Sequence, residues 1–367
     1  MQKTLSTILL SAILLLCIKT GVRAQGCVAI RGSGPSCMLL QGDDEHADKW
    51  LFNMGARYFK SYKHFKGRQE QKERVELGTE VINHQTAIDL ALTRILNERW
   101  SVMIDVPLLA NARSSLYEHG LVNGVNKFNQ RYSMHSYGLG DIRVAVYRWL
   151  LDPKKHTRGN IQAGLGIKFA TGDYDYQDYW HNVGPNGAKE LRTVDQSIQL
   201  GDGGTGLTAE LNAYYHLGNK LGVYANGYYL LNPREQNGVR TYRETLTPAL
   251  ANEAICSVPD QYMFRAGAGF TSRNFTTSAG VRLEGIPVND LVGGSGDFRR
   301  PGYVWSVEPA VSYAIKKTRL FVAVPVAFVR NRTQSVTDKE RSTPTNKVNG
   351  DAAFADYVVN AGFSVKF

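Results

Sequence analysis

The sequence predicts an all-β fold: an antiparallel transmembrane β-barrel of about 12 strands, with short periplasmic turns and long extracellular loops. Three observations predict it. From Trp50 onward, apolar side chains recur at every second residue, which is the period of a strand rather than of a helix. The connections between these segments are short and long by turns, a sorting that bilayer-spanning barrels show and a soluble sandwich has no reason to show. The last residues, YVVNAGFSVKF, alternate strictly and end in Phe367.

The elements follow in chain order. MQKTLSTILLSAILLLCIKTGVRA has a basic start at Lys3, an apolar run over 9–18, and small residues, Val22 and Ala24, where a signal peptidase reads. Residues 1–24 are therefore expected to be a signal peptide cleaved before Gln25. Its removal takes away Lys3, Lys19 and Arg23 and lowers the formal charge from +10 to +7. Beyond it, nothing approaches the ~20 consecutive apolar residues of a membrane helix. Residues 25–47 read as an N-terminal periplasmic or plug segment. Within it Cys27 and Cys37 flank a short Gly/Pro-containing loop, and a disulfide there would contribute ~3 kcal/mol in the loop-entropy model. Cys256 would then be left over.

The barrel is expected over 48–367, with strands at 48–64, 74–96, 99–112, 138–151, 159–172, 196–217, 221–232, 261–272, 276–286, 303–315, 319–330 and 351–367. The second contains AIDLALTRIL, which also reads as a short amphipathic helix. In the fifth, Ile161, Ala163, Leu165, Ile167 and Phe169 face one way, while Gln162, Gly164, Gly166 and Lys168 face the other. The sixth sets Leu207, Leu211, Ala213 and Tyr215 against Thr208, Glu210, Asn212 and Tyr214, and the eighth, ninth and eleventh repeat the pattern. The mixed face, rich in glycine and single charges, suits a wet interior. Short turns fall near 97–99, 153–159, 218–220, 273–275 and 316–318, and an even strand count puts both ends on the periplasmic side. The terminal strand places Tyr357, Val359, Ala361, Phe363, Val365 and Phe367 on one face. It resembles the last strand of bacterial outer-membrane barrels, which the barrel-assembly machinery recognises, so Tyr357, Phe363, Val365 and Phe367 are assigned as that signal. Trp50, Trp100, Trp149, Trp180 and Trp305 lie near expected strand ends, as an interfacial girdle would.

Several motifs on this frame offer candidate sites. QLGDGGTGLT over 199–208 fits G-x-G-x-x-G, but LTAELNAYYHLG follows with period two, so no helix N-terminus faces a phosphate; a kink in a long strand is expected instead. Outer-membrane phospholipases place a nucleophilic Ser two residues after a His, and no His here has Ser at that spacing. The acidic run Asp43, Asp44, Glu45 and His46 reads as solvated. Lys and Arg are scattered singly, so no nucleic-acid partner is expected, and the cysteine spacing offers no zinc site. No metal, cofactor or catalytic residue is assigned. Asp89, Asp105, Lys168, Glu210, Asn212, Arg265, Arg282, Glu284 and Glu308 are expected to face the interior. There they either line a pathway or pair with one another and hold the barrel shape.

YGLGDIRVAVYRWL from Tyr137, GLGIKFATGDY from Gly164, IQLGDGGTGL from Ile198, YLLNPREQN from Tyr229 and SVPDQY from Ser257 occur in the order of a known family. Over residues 50–285 the chain resembles the outer-membrane barrels named for the meta-pathway of phenol degradation, in the version found in Bacteroidetes. These are distantly similar to long-chain fatty-acid and aromatic-hydrocarbon transporters. One departure is Ala170, where family members often carry Pro before Thr-Gly. The resemblance implies a non-enzymatic channel in the outer membrane, embedded in its lipid, for passive uptake of small hydrophobic or aromatic molecules. By analogy with the fatty-acid transporters, residues 25–47 would plug the lumen. The alternative is a structural or adhesive barrel whose outer loops, such as the Tyr- and Asn-rich 172–196, bind a partner.

Overall fold

A computed structural model describes residues 49–122, 125–126, 129–241 and 246–367. The proposed signal peptide, the 25–47 segment with Cys27 and Cys37, and the acidic run at 43–46 lie outside the described residues.

Alternation at period two gives each strand two unlike faces, and twelve strands use this by closing on themselves. The strands are β1 (Trp50–Lys66), β2 (Ile82–Ile95), β3 (Trp100–Ser115), β4 (Tyr132–Leu139 and Arg143–Trp149), β5 (Gly159–Lys168) and β6 (Gly206–His216). The second half comprises β7 (Leu221–Leu231), β8 (Gln261–Ser272), β9 (Phe275–Ile286), β10 (Gly302–Ile315), β11 (Thr318–Ala323 and Val326–Asn331) and β12 (Ala352–Ala355 and Val359–Lys366). Each pairs antiparallel with its chain neighbours. The cylinder shuts where β1 meets β12, from Leu51↔Lys366 to Tyr58↔Val359. Closure satisfies the backbone groups that an open edge would leave bare, which matters most where no water can reach them.

Apolar side chains form the outside. Ile104, Ile161, Leu165, Leu207, Leu211, Phe264, Phe270, Val307 and Leu320 are all exposed, Leu165 at 72%. A belt of this kind running round a cylinder far exceeds the few hundred Å² of contiguous apolar surface that a soluble monomer tolerates. The opposite faces are polar and buried. Five short turns lie at one end, with both strand termini; six longer connections lie at the other. Trp50 and Trp100 are exposed at the short-turn end.

The differences from the sequence reading are local. AIDLALTRIL is strand up to Ile95, but β2 begins at Ile82; a short helix, α1 (Lys72–Glu76), occupies the start of the expected segment. β4 starts earlier, at Tyr132, and breaks at Gly140–Ile142. The break reverses the parity of the strand: Met134 and Ser136 are buried above it, and Arg143, Ala145 and Tyr147 below. β6 begins at Gly206 rather than at 196. Two tryptophans leave the expected girdle. Trp180 is buried in a loop cluster with Met134, Val194 and Ile198, and Trp149 packs edge-on against Tyr214, on the inner side of β6.

Candidate functional site in the barrel interior

Four interior layers are built from side chains that alternation sends inward. The first is a polar chain around the wall. Asn212 donates to Gln162 Oε1 at 3.3 Å, Asn226 donates to Asn212 Oδ1 at 2.9 Å, and Arg265 Nε donates to Asn226 Oδ1 at 2.8 Å. The chain crosses β5 to β8 because Gln162, Asn212, Asn226 and Arg265 face one another in register. It then reaches Glu308 on β10, which lies 3.4 Å from Arg265 and 3.3 Å from Arg282, while Arg282 also pairs with Glu284 at 2.7 Å. A second group centres on Arg143, which pairs with Glu210 and stands 3.6 Å from Asp105; the Tyr147 hydroxyl donates to the same Glu210 at 2.9 Å.

The structure thus brings Asp105, Glu210, Asn212, Arg265, Arg282, Glu284 and Glu308 to the inside of the barrel, all buried. Asp89 is half-buried on β2, opposite Gly55 and Pro107. Large aromatic side chains crowd glycines beside these groups. A Cβ on Gly164 would meet the Tyr147 ring at 2.5 Å, and one on Gly267 or Gly280 would meet the Tyr224 hydroxyl at 2.6 Å. Phe321 covers Gly362 in the same way. On the outside, the ring of Phe363 lies 6.1 Å from that of Phe52, and Tyr357 and Phe367 are exposed.

The third layer answers what QLGDGGTG does. The segment is a loop that folds back over the mouth. Lys168 pairs with Asp202 of this loop and, at 3.3 Å, with Asp141 at the break in β4. Asp141 accepts from the backbone N–H of Gly172 at 3.0 Å and of Asp202 at 3.3 Å. From the next long connection, Asn232 donates to Asp202 at 3.3 Å and Arg234 donates to the Gly203 carbonyl at 2.6 Å. The N–H of Asn232 is itself held by Asp260 at 2.7 Å. A Cβ on Gly201 would come within 2.5 Å of Asp141, and one on Gly204 within 2.4 Å of Val258, so bare backbone is needed for this approach. All five quoted motifs contribute to this one knot. The sequence reading found its glycines but not Asp141, Asp202, Asn232 or Asp260; Asp141 and Asp202 beside Gly, and Asn232 and Asp260 beside Pro, were the available signal.

A fourth layer pins the same loop further out. Arg113 on β3 pairs with Glu118 and stands 3.4 Å from Asp195, which pairs with Arg300 at 2.8 Å. Burial alone would raise the Asp195 carboxyl, but the two guanidiniums hold it well below the usual carboxylate range. Arg299, fully buried, is fixed by Asp290 at 2.6 Å. Cys256 is a buried free thiol near this layer, pushed up to about 12 by burial.

Between the knot and the polar layers lies a cavity of roughly 200 Å³. Phe59, Leu109, Leu200, Leu230 and Ile286 supply apolar lining, and Gln85, Asn111, Arg143, Lys168 and Gln199 supply polar lining. No group of His, Cys, Asp and Glu that could hold a metal occurs among the described residues.

An outer-membrane channel from Pseudomonas putida F1 superposes with a TM-score of 0.52 at 11% identity, over 89% of this chain and 100% of that one. The two chains share a fold. Weaker likenesses are a FadL homologue from Pseudomonas aeruginosa (TM-score 0.41, 9% identity, 87% of this chain and 91% of that one) and the toluene transporter of P. putida (TM-score 0.42, 9% identity, 91% and 93%). No family model matches the chain, and no curated protein matches it.

Proposed function

We propose that this barrel sits in a bacterial outer membrane and serves, without catalysis, as a channel for passive uptake of small hydrophobic or aromatic molecules. The observation that carries the proposal is a closed twelve-stranded cylinder, apolar outside and polar inside, with a two-faced cavity beneath its long loops. An engineered apolar cavity of about 150 Å³ admits benzene. A space of roughly 200 Å³ therefore suits a single substituted ring, with its apolar part against Leu109 and Leu230 and its polar part toward Gln85 or Asn111. The resemblance of the five motifs to the phenol-degradation barrels of Bacteroidetes points to the same solute class, and on this reading Phe367 and its alternating partners are what the assembly machinery recognises. Residues 1–24 would direct export, and 25–47 would lie in or below the lumen.

The inward ions act here as a fixed polar wall that shapes the path. One observation favours the second reading, a structural or adhesive barrel. Arg265, Arg282, Glu284 and Glu308 are all at most 6% exposed, so the middle of the lumen is filled as the chain stands. Reconstitution separates the two readings. A channel takes a labelled monocyclic aromatic acid into liposomes faster than protein-free vesicles do and gives discrete steps in a planar bilayer; a silent, impermeable barrel would support the second reading.

A further inference from the structure

The short-turn end of the barrel is basic far beyond the balance of the whole chain. Its second turn carries Lys154, Lys155 and Arg158, its third Lys220, its fourth Arg273 and its fifth Lys316 and Lys317, all exposed. Against them, the five turns hold two acids, Glu98, which pairs with Lys154, and Asp152. The chain as a whole carries 43 basic and 33 acidic side chains, so the excess at this end is a feature of place rather than of composition.

A second observation fixes the height of this charge. At the same end, the guanidinium of Arg94 lies 4.8 Å from the ring centre of Trp50, and that of Arg148 lies 5.1 Å from the ring centre of Trp100. Both tryptophans are exposed at the lower margin of the apolar belt. Indole rings at a belt margin sit at headgroup level, where long basic side chains reach out of the hydrocarbon toward phosphates. A cation stacked on such a ring is attracted to its face and keeps its remaining N–H groups for an anion. Outward-facing cations at that level, with more in the turns just below, form a collar around the cylinder.

We propose that this collar binds the phosphate groups of anionic phospholipids in the leaflet at the short-turn end, so that the barrel gathers acidic lipid around its base. The proposal rests on the reading that the chain spans a membrane, and it does not depend on whether the lumen conducts. Each Lys or Arg near an anionic surface adds to the attraction, and salt screens it.

The folded barrel, reconstituted in phosphatidylcholine vesicles containing a minor share of phosphatidylglycerol, tests this through quenching of tryptophan fluorescence by brominated lipid. Bromine on phosphatidylglycerol is expected to quench about twofold or more beyond its mole fraction, and the excess to vanish in 0.5 M salt. A variant with Lys154, Lys155, Arg158, Lys220, Arg273, Lys316 and Lys317 all changed to Gln should lose most of the excess. Its folding is checked by retention of β-sheet circular dichroism. Quenching in proportion to mole fraction for the unaltered chain, or an undiminished excess in the folded variant, would overturn the proposal. If neither brominated lipid quenched, the membrane-spanning reading itself would fail. An acidic protein as the true partner would appear as proportional lipid quenching.

Discussion

At Gly267 the inner wall has no room for a side chain. A Cβ there would stand 2.4 Å from the Ala279 carbonyl and 2.6 Å from the Tyr224 hydroxyl. Gly267→Val is expected to force the ring off the wall and cost about 1–3 kcal/mol, read as a lower temperature for the unfolding shift of the band on gels. Glu308 is the acid shared by Arg265 and Arg282. Glu308→Ala should cost more, about 3–5 kcal/mol, because buried cations lose the carboxylate they both face. His119 gives the outer loops a pH dependence. Its buried ring packs against Tyr132, Trp180 and His181, and Nδ1 accepts from the backbone N–H of His181 at 3.1 Å. Burial first, then the charges of His181 and Arg113, pull its pKa from 6.5 down to about 4. The unfolded loop therefore binds the proton more readily than the folded one. Its contribution to loop packing is complete above pH 6.5 and declines as pH falls from 6.5 toward 4. Corrected for the intrinsic exchange rate, the protection of amides in the hairpin strands Gln177–Trp180 and Glu190–Thr193 should fall over that interval. The loss of protection should be absent in His119→Phe.

The loop over 169–205 is tied down through Asp202. Asp202 faces Lys168 and accepts from Asn232, while its backbone rests on Asp141. Asp202→Ala should release the loop from the mouth and raise single-channel conductance severalfold, while leaving the sheet signal unchanged; equal conductance would mean that the loop is no constriction. The strands were legible in the sequence wherever alternation ran unbroken, as in β5 and in β7 to β10. They were misplaced where a bulge or loop imitates a strand. The break at Gly140–Ile142 shifts parity by one, so the apolar residues above it follow a different face from those below. One long, kinked strand is expected over 196–217, yet 196–205 is loop, with Ile198 and Leu200 buried within it. The inward charges were legible as a set, since parity alone places them. Their partners were not, because pairs such as Arg143 with Glu210 or Arg113 with Asp195 join residues more than sixty positions apart, through curvature that period two does not encode.

For the whole molecule, the outer belt and inner layers are two sides of one arrangement. The chain hides polar groups inside a cylinder and leaves its apolar rows for lipid, so stability and placement in a bilayer have the same cause. The most direct test is a spin label walked from Ile161 in β5 to Phe169, one residue past its end, in reconstituted vesicles. Collision with oxygen, which concentrates in hydrocarbon, should peak at Ile161, Leu165, Ile167 and Phe169, and fall at Gln162, Gly164, Gly166 and Lys168. A profile that is flat, or that repeats every three to four residues, would contradict the barrel and everything built on it.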